Sequence, residues 1–244
     1  MNLTLTRHLL GRMLRGKRLL GAVALASVAG VTAWVAMAGD AGPAALEEYQ
    51  VLVSTVPAAT LSIALLILGT AALRDERDGG TLPFVFLTPV SAATFAVSAW
   101  VAAAVGSTLV AIAGWVPGWI GTSLITGSWS AAVPALSLYV GAALGYSAIF
   151  VPLGYLFGRS LLVGLGYVFV WEGILANVVP GLGASSVWKL CLSIYADLDE
   201  LPSDALEALG AVEAGKWGGA AAIGGLAIVG AVVLTWAVRT RDAV

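Results

Sequence analysis

The chain has 244 residues, is 59% hydrophobic and only 11% charged, and carries a formal net charge of −2. Its mean hydropathy of +0.95, against the 45–50% apolar content of a soluble domain, points to a polytopic membrane protein with no soluble domain of useful size. One cysteine, Cys191, and one histidine, His8, exclude an intrachain disulfide, a multi-Cys metal site and most histidine-based catalysis.

Residues 1–18 carry Arg7, Arg12, Arg15, Lys17 and Arg18, with Leu9, Leu10, Met13 and Leu14 at helical spacing between them. This pattern predicts a basic interfacial helix facing anionic lipid, or an orienting tail. A first span follows over 19–38. Its end, Ala36-Met37-Ala38, resembles a leader-cleavage site, but the apolar run is long for a leader and reads as a span. After an acidic loop with Gly42-Pro43, a second span covers 51–73.

Residues 74–90 interrupt the apolar pattern. Arg74, Asp75, Glu76, Arg77 and Asp78 are five consecutive ionisable residues, which cannot sit in hydrocarbon and so predict a loop at one membrane face. Gly79, Gly80 and Thr81 come next, then an apolar stretch containing Phe84 and Phe86 and bracketed by Pro83 and Pro89. A purely topogenic loop accounts for the charges. It does not account for the apolar, proline-bounded segment, which predicts a short surface helix that another protein could grip.

A third span is expected over 91–114. The Trp-rich stretch 115–132, with Pro117 and Gly118, reads as an outer loop or interfacial turn, or as a lengthening of the third helix. The fourth span, 134–157, contains Gly141-x-x-x-Gly145 and Gly154-x-x-x-Gly158, a spacing that permits close helix approach. The fifth and sixth spans cover 161–180 and 217–238. Between them, Val187, Leu190, Cys191, Ile194, Tyr195 and Leu198 form one apolar helical face. Pro202 ends it, and a second short helix is expected over about 203–210. Residues 181–216 thus predict an outer helical hairpin, dipping into the interface or simply packed on the surface.

With both termini in the cytoplasm, the inner segments hold Arg7, Arg12, Arg15, Lys17, Arg18, Arg74, Arg77, Arg159, Arg239 and Arg241. The outer ones hold only Lys189 and Lys216. The even span number and this positive-inside bias agree.

Glu172 is the one carboxylate within a span. Near mid-membrane an ionised carboxylate costs about 2.5–3.5 kcal/mol on insertion scales, so it needs a partner or a water-filled cavity. Two readings stand: a cavity or gate residue, with Asn177 on the same helix, or a helix–helix hydrogen bond with the carboxyl neutral. No Gly-x-x-x-x-Gly-Lys-[Ser/Thr] phosphate loop and no nucleophile elbow with a following histidine occurs, and there is no basic domain for nucleic acid. An enzyme is not expected.

Glu76-Arg77-Asp78-Gly79-Gly80-Thr81-Leu82, followed by Leu87-Thr88-Pro89-Val90-Ser91, resembles the stretch after the second span in ABC-2 type transporter permeases. Those proteins show a Glu, a Gly-Thr-Leu a few residues later, and a Pro-Val-Ser before the third span. Phe169-Val170-Trp171-Glu172-Gly173 is similar to a run in the same family, as is the overall plan. The chain departs from the family at Ala92 and Ala99-Trp100, where basic residues are common, so the ion pair or lipid anchor of those positions does not carry over.

The resemblance implies an all-α membrane subunit of a bacterial plasma-membrane exporter. It would pair with a second permease subunit, identical or not. Each would dock a cytoplasmic ATPase subunit, two copies per complex, that binds ATP and Mg; this chain itself would hold no cofactor. Residues Glu76–Pro89 would be the coupling helix. Arg74, Glu76, Arg77 and Asp78 would supply charge pairs and Phe84 and Phe86 apolar anchors, with Gly79 and Thr81 also among the coupling residues. The cargo would be amphipathic or apolar. An ATP-independent transporter or channel, and a non-transporting assembly or immunity protein, are the competing expectations.

Overall fold

A computed structural model describes residues 2–15, 17–37, 43–78, 91–179, 181–201 and 212–241. Regular structure among them is entirely helical. Six helices are long and apolar enough to cross a membrane: α2 (Lys17–Met37), α3 (Pro43–Asp78), α4 (Ala92–Thr126), α5 (Leu136–Leu156), α6 (Ser160–Val178) and α8 (Gly215–Arg241). A shorter helix α1 (Leu3–Met13) precedes them, and α7 (Val187–Leu198) lies between α6 and α8. A helix satisfies its own backbone polar groups, the condition that hydrocarbon imposes on any spanning segment.

The periphery has the character of a lipid-facing surface. Leu20 and Val35 on α2, Leu162, Val170, Ile174 and Val178 on α6, and Ile228, Val229, Val232 and Trp236 on α8 are all exposed. Apolar faces of this extent belong against hydrocarbon or another protein, not water. The interior is formed by α3, α4 and α5, with Tyr139, Tyr146 and Phe150 of α5 fully buried.

Asn2 starts α1, its side chain accepting from the Thr4 and Leu5 backbone N–H groups, and its own N–H donates to Ser98 Oγ on α4 at 2.9 Å. Leu9 is then buried in a cluster with Leu73 of α3, Phe95 of α4, Tyr155 of α5 and Val238 of α8. The N-terminal helix and the C-terminal end of α8 therefore share one end of the bundle. The apolar face expected of residues 1–18 packs on the bundle here, while Arg7 and Arg15 are exposed.

One expectation changes. Residues 74–78 do not leave the helix as a loop: α3 continues unbroken through Asp78. Of the readings open for the stretch after Gly114, the lengthened third helix is the one adopted: α4 runs through Pro117 to Thr126 and ends at Gly127 in the left-handed conformation (φ 71°). The glycines that make this stretch look broken are a packing surface. Gly114 lies against Ala26, Gly118 against Gly30 and Gly121 against Trp34, one turn apart along α2. Small residues at this spacing let the two backbones approach closely. The tryptophans then close the end of α4. Trp115 stacks on Trp119 at 5.1 Å, and their indoles donate to the carbonyls of Ala132 and Trp129.

The two Gly-x-x-x-Gly pairs, the second ending at Gly158 just past α5, behave differently from each other. Gly141 meets Cys191, and Gly145 meets Val187, so this pair is the groove that receives α7. Gly154 lies against the Thr70 backbone of α3, whereas nothing approaches Gly158 within 4 Å.

Candidate functional site

Glu172 lies in a π-helical stretch of α6, Tyr167–Leu175. Wider helical turns of this kind often mark functional positions. Where the ladder changes pitch, Asn177 Nδ2 donates to the carbonyls of Glu172 and Gly173, both at 3.0 Å. Lys189 of α7 adds a donor to the Ala176 carbonyl at 3.0 Å. A cation at a helix C-terminus both satisfies an orphan carbonyl and complements the helix dipole.

The Glu172 side chain is 9% exposed and points at the start of α7. Oε1 accepts from Val187 N–H and from Tyr167 Oη, each at 2.9 Å, and Oε2 accepts from Ser186 Oγ in a short contact. Ser186 is the N-cap of α7, its Oγ accepting from Lys189 N–H at 3.1 Å. A helix N-terminus presents free N–H groups and positive dipole potential. The carboxyl therefore occupies the position where α7 favours an anion, with three donors converging on it. This is the helix–helix hydrogen bond that the sequence allowed, and it is made to α7 rather than to another span. Tyr167 is braced in turn by Phe150, ring centroids 6.1 Å apart, and Phe150 stacks on Tyr146 at 5.3 Å.

The rest of α7 is held as firmly. Trp188 Nε1 donates to the Ser54 carbonyl of α3 at 3.0 Å, three residues before Pro57. At the far end Asp199 Oδ2 accepts from Gln50 Nε2 of α3 and from Tyr195 Oη, both at 2.9 Å. Burial holds the Asp199 carboxyl above the usual aspartate range, against the opposing pull of those two hydrogen bonds. Asp197 accepts from the Lys216 backbone N–H at 2.8 Å and pairs with its ammonium at 3.7 Å, joining α7 to α8. Burial pushes the Cys191 thiol up, so this cysteine is a packing residue rather than a nucleophile.

A cavity of about 280 Å³ lies between α3, α6 and α7, edged by Thr55, Phe169, Glu172, Asn177, Trp188 and Lys189. The two candidate residues of the fifth span thus meet at one site, which mixes aromatic faces with an amide, a carboxylate and an ammonium. Such a lining suits a group with a polar head and an apolar body. Among the described residues no set of three His, Cys, Asp or Glu could hold a metal.

Of the expected docking residues, Arg74, Glu76, Arg77 and Asp78 occupy the last turn and a half of α3. Gly79, Thr81, Phe84 and Phe86 lie outside the described residues, as does the second outer helix expected over 203–210. The expected docking residues and the cavity are not brought together: Thr55, on the cavity, and Arg74 are about 28 Å apart along α3 at helical rise. Sequence reasoning missed Tyr167, Ser186, Gln50 and Asp199. A signal existed for Ser186, since a serine immediately before the first residue of a periodic apolar face is an N-cap pattern.

No protein-family model and no curated protein matches this chain.

Proposed function

We propose that the chain is the membrane-spanning permease subunit of an ATP-driven exporter in a bacterial plasma membrane. In this reading both termini are cytoplasmic, a separate ATPase docks on residues 74–90, and a second permease subunit completes the pathway. ATP and Mg are held by the ATPase. The cargo is amphipathic or apolar.

The observation that carries this reading is the continuity of α3. Its 36 residues extend about 54 Å, well beyond the ~30 Å of hydrocarbon. The helix carries Arg74–Asp78 out of the apolar run without a break. A force applied to the charged end is transmitted along this one helix, past Pro57, to Ser54 and Gln50, which hold α7. The cavity edged by Glu172 adjoins that contact, so movement of α3 against α6 changes its shape. The resemblance of Glu76–Ser91 to ABC-2 type permeases supports the same reading, as does the lack of a phosphate loop in a chain that relies on an outside source of energy.

The test is charge reversal at the docking end. The Glu76→Arg, Arg77→Glu double variant should insert at the level of the unmodified protein yet lose the associated ATPase. A complex that survives the double variant unchanged removes the docking role.

A further inference from the structure

The end of the bundle opposite α7 contains a second cavity, of about 290 Å³, between α1 and α3 and beside the start of α2. Arg12, Arg15 and Arg18 converge on its rim, and Leu9, Ile67 and Leu68 form part of its floor. Leu9 and Leu68 are each only 4% exposed, so the floor is part of the packed bundle. All three arginines are exposed.

The depth of this site follows from α3. Ile67 precedes Arg74 by seven residues, about 10 Å of helix. The apolar floor therefore lies just inside the point where the chain turns from apolar to charged, and the arginine rim lies at the boundary. A glycerophospholipid has the same layering, with phosphate at the boundary and acyl chains immediately below it. Guanidinium groups bind phosphate oxygens in paired hydrogen bonds, with a geometry that an ammonium cannot supply. A free phosphate would satisfy the rim but gain nothing from the floor, whereas acyl carbon buried there is stabilised by loss of contact with water.

We propose that this cavity is a binding site for an anionic glycerophospholipid, filled best by one carrying two phosphates. Three guanidinium groups around one opening offer two phosphates of one head separate partners, which a single phosphate cannot use. The site lies on α1 and α3, so a bound lipid bridges the N-terminal helix to the helix that ends at Asp78. The proposal is independent of the transporter reading.

The experiment uses the full chain, purified with its native partners in nonionic detergent. Lipid retention is read by native mass spectrometry and the unfolding midpoint by a thermal scan. The probes are cardiolipin, phosphatidylglycerol, phosphatidylcholine and inorganic pyrophosphate. Cardiolipin should be retained most strongly and raise the midpoint most, phosphatidylglycerol less, and the other two should leave it unchanged. Replacing Arg12, Arg15 and Arg18 together by Gln should lower cardiolipin retention about tenfold or more.

Should that variant fold poorly, the corresponding triple Lys variant keeps the charge and carries the test. Its retention should fall about threefold, because the paired geometry is lost. Retention unchanged in the Lys variant overturns the guanidinium cradle in favour of general surface attraction. Equal binding of phosphatidylcholine, or a full midpoint shift with pyrophosphate alone, overturns the lipid assignment.

Discussion

Glu172 on α6 and Ser186 at the head of α7 form a cap made in trans. The serine hydroxyl accepts from Lys189 N–H within its own helix and donates to the glutamate of another. A helix usually finds its capping glutamate three residues into its own first turn. Here the carboxyl comes from a helix that crosses the bundle, so the start of α7 and the π-helical stretch of α6 are fixed by the same group.

Removing that carboxyl should be costly. Glu172→Ala leaves Val187 N–H, Ser186 Oγ and Tyr167 Oη without their acceptor, and a buried unsatisfied group costs about 1–3 kcal/mol. Loss of about 3 kcal/mol or more is expected, measured as the shift in unfolding free energy in detergent. Glu172→Gln keeps one oxygen for Val187 and should lose about 1 kcal/mol. Equal stability of the alanine variant and the unmodified protein would show that the cap holds nothing.

The groove of α5 gives a sharper comparison. Adding a methyl at Gly145 would drive it into Val187, while the same change at Gly158 meets open space. Gly145→Ala should destabilise by about 1–3 kcal/mol through overpacking. Gly158→Ala should stay within about 0.5 kcal/mol of the unmodified protein. Matched unfolding curves for the two variants decide the point, and a reversed order would contradict the placement of α7.

Much of this architecture is legible from the sequence, and the exceptions have physical causes. Six apolar stretches announce themselves because hydrocarbon demands length and apolarity together. The face of α7 is equally plain, since Val187 to Leu198 repeats at helical spacing. The length of α4 stays open in the sequence because Gly114, Pro117 and Gly118 break helices in water, whereas in a packed bundle the glycines are contact surface. The trans cap cannot be read from one dimension. Glu172 and Ser186 are 14 residues apart, and only the return of α7 into the bundle joins them.

Asp199 yields a prediction about pH. Its folded-state pKa lies above the ordinary aspartate value, with burial the leading cause. A group shifted in this direction contributes stability that is fully present below the unfolded value and is lost as pH rises through the folded one. At neutral pH the ionised carboxylate therefore weakens the α7–α3 contact relative to acid, by an amount reduced because the group is partly exposed. Asp199→Asn keeps an oxygen for both Gln50 and Tyr195 and removes the charge. Its unfolding midpoint should equal or exceed that of the unmodified protein at pH 7, and the advantage should vanish below about pH 3.9, the ordinary aspartate value. A variant markedly less stable at pH 7 would show that the ionised form is needed.

An ATPase docked on the charged end of α3 is what separates an ATP-driven permease from the other membrane proteins this fold could serve. The full chain should be purified from its native membrane and assayed for associated ATP hydrolysis, beside the Glu76→Arg, Arg77→Glu variant inserted at equal level. Hydrolysis that accompanies the unmodified protein and disappears with the variant is the predicted result. Transport by purified protein with no hydrolysing partner, or hydrolysis indifferent to the reversed charges, would contradict it.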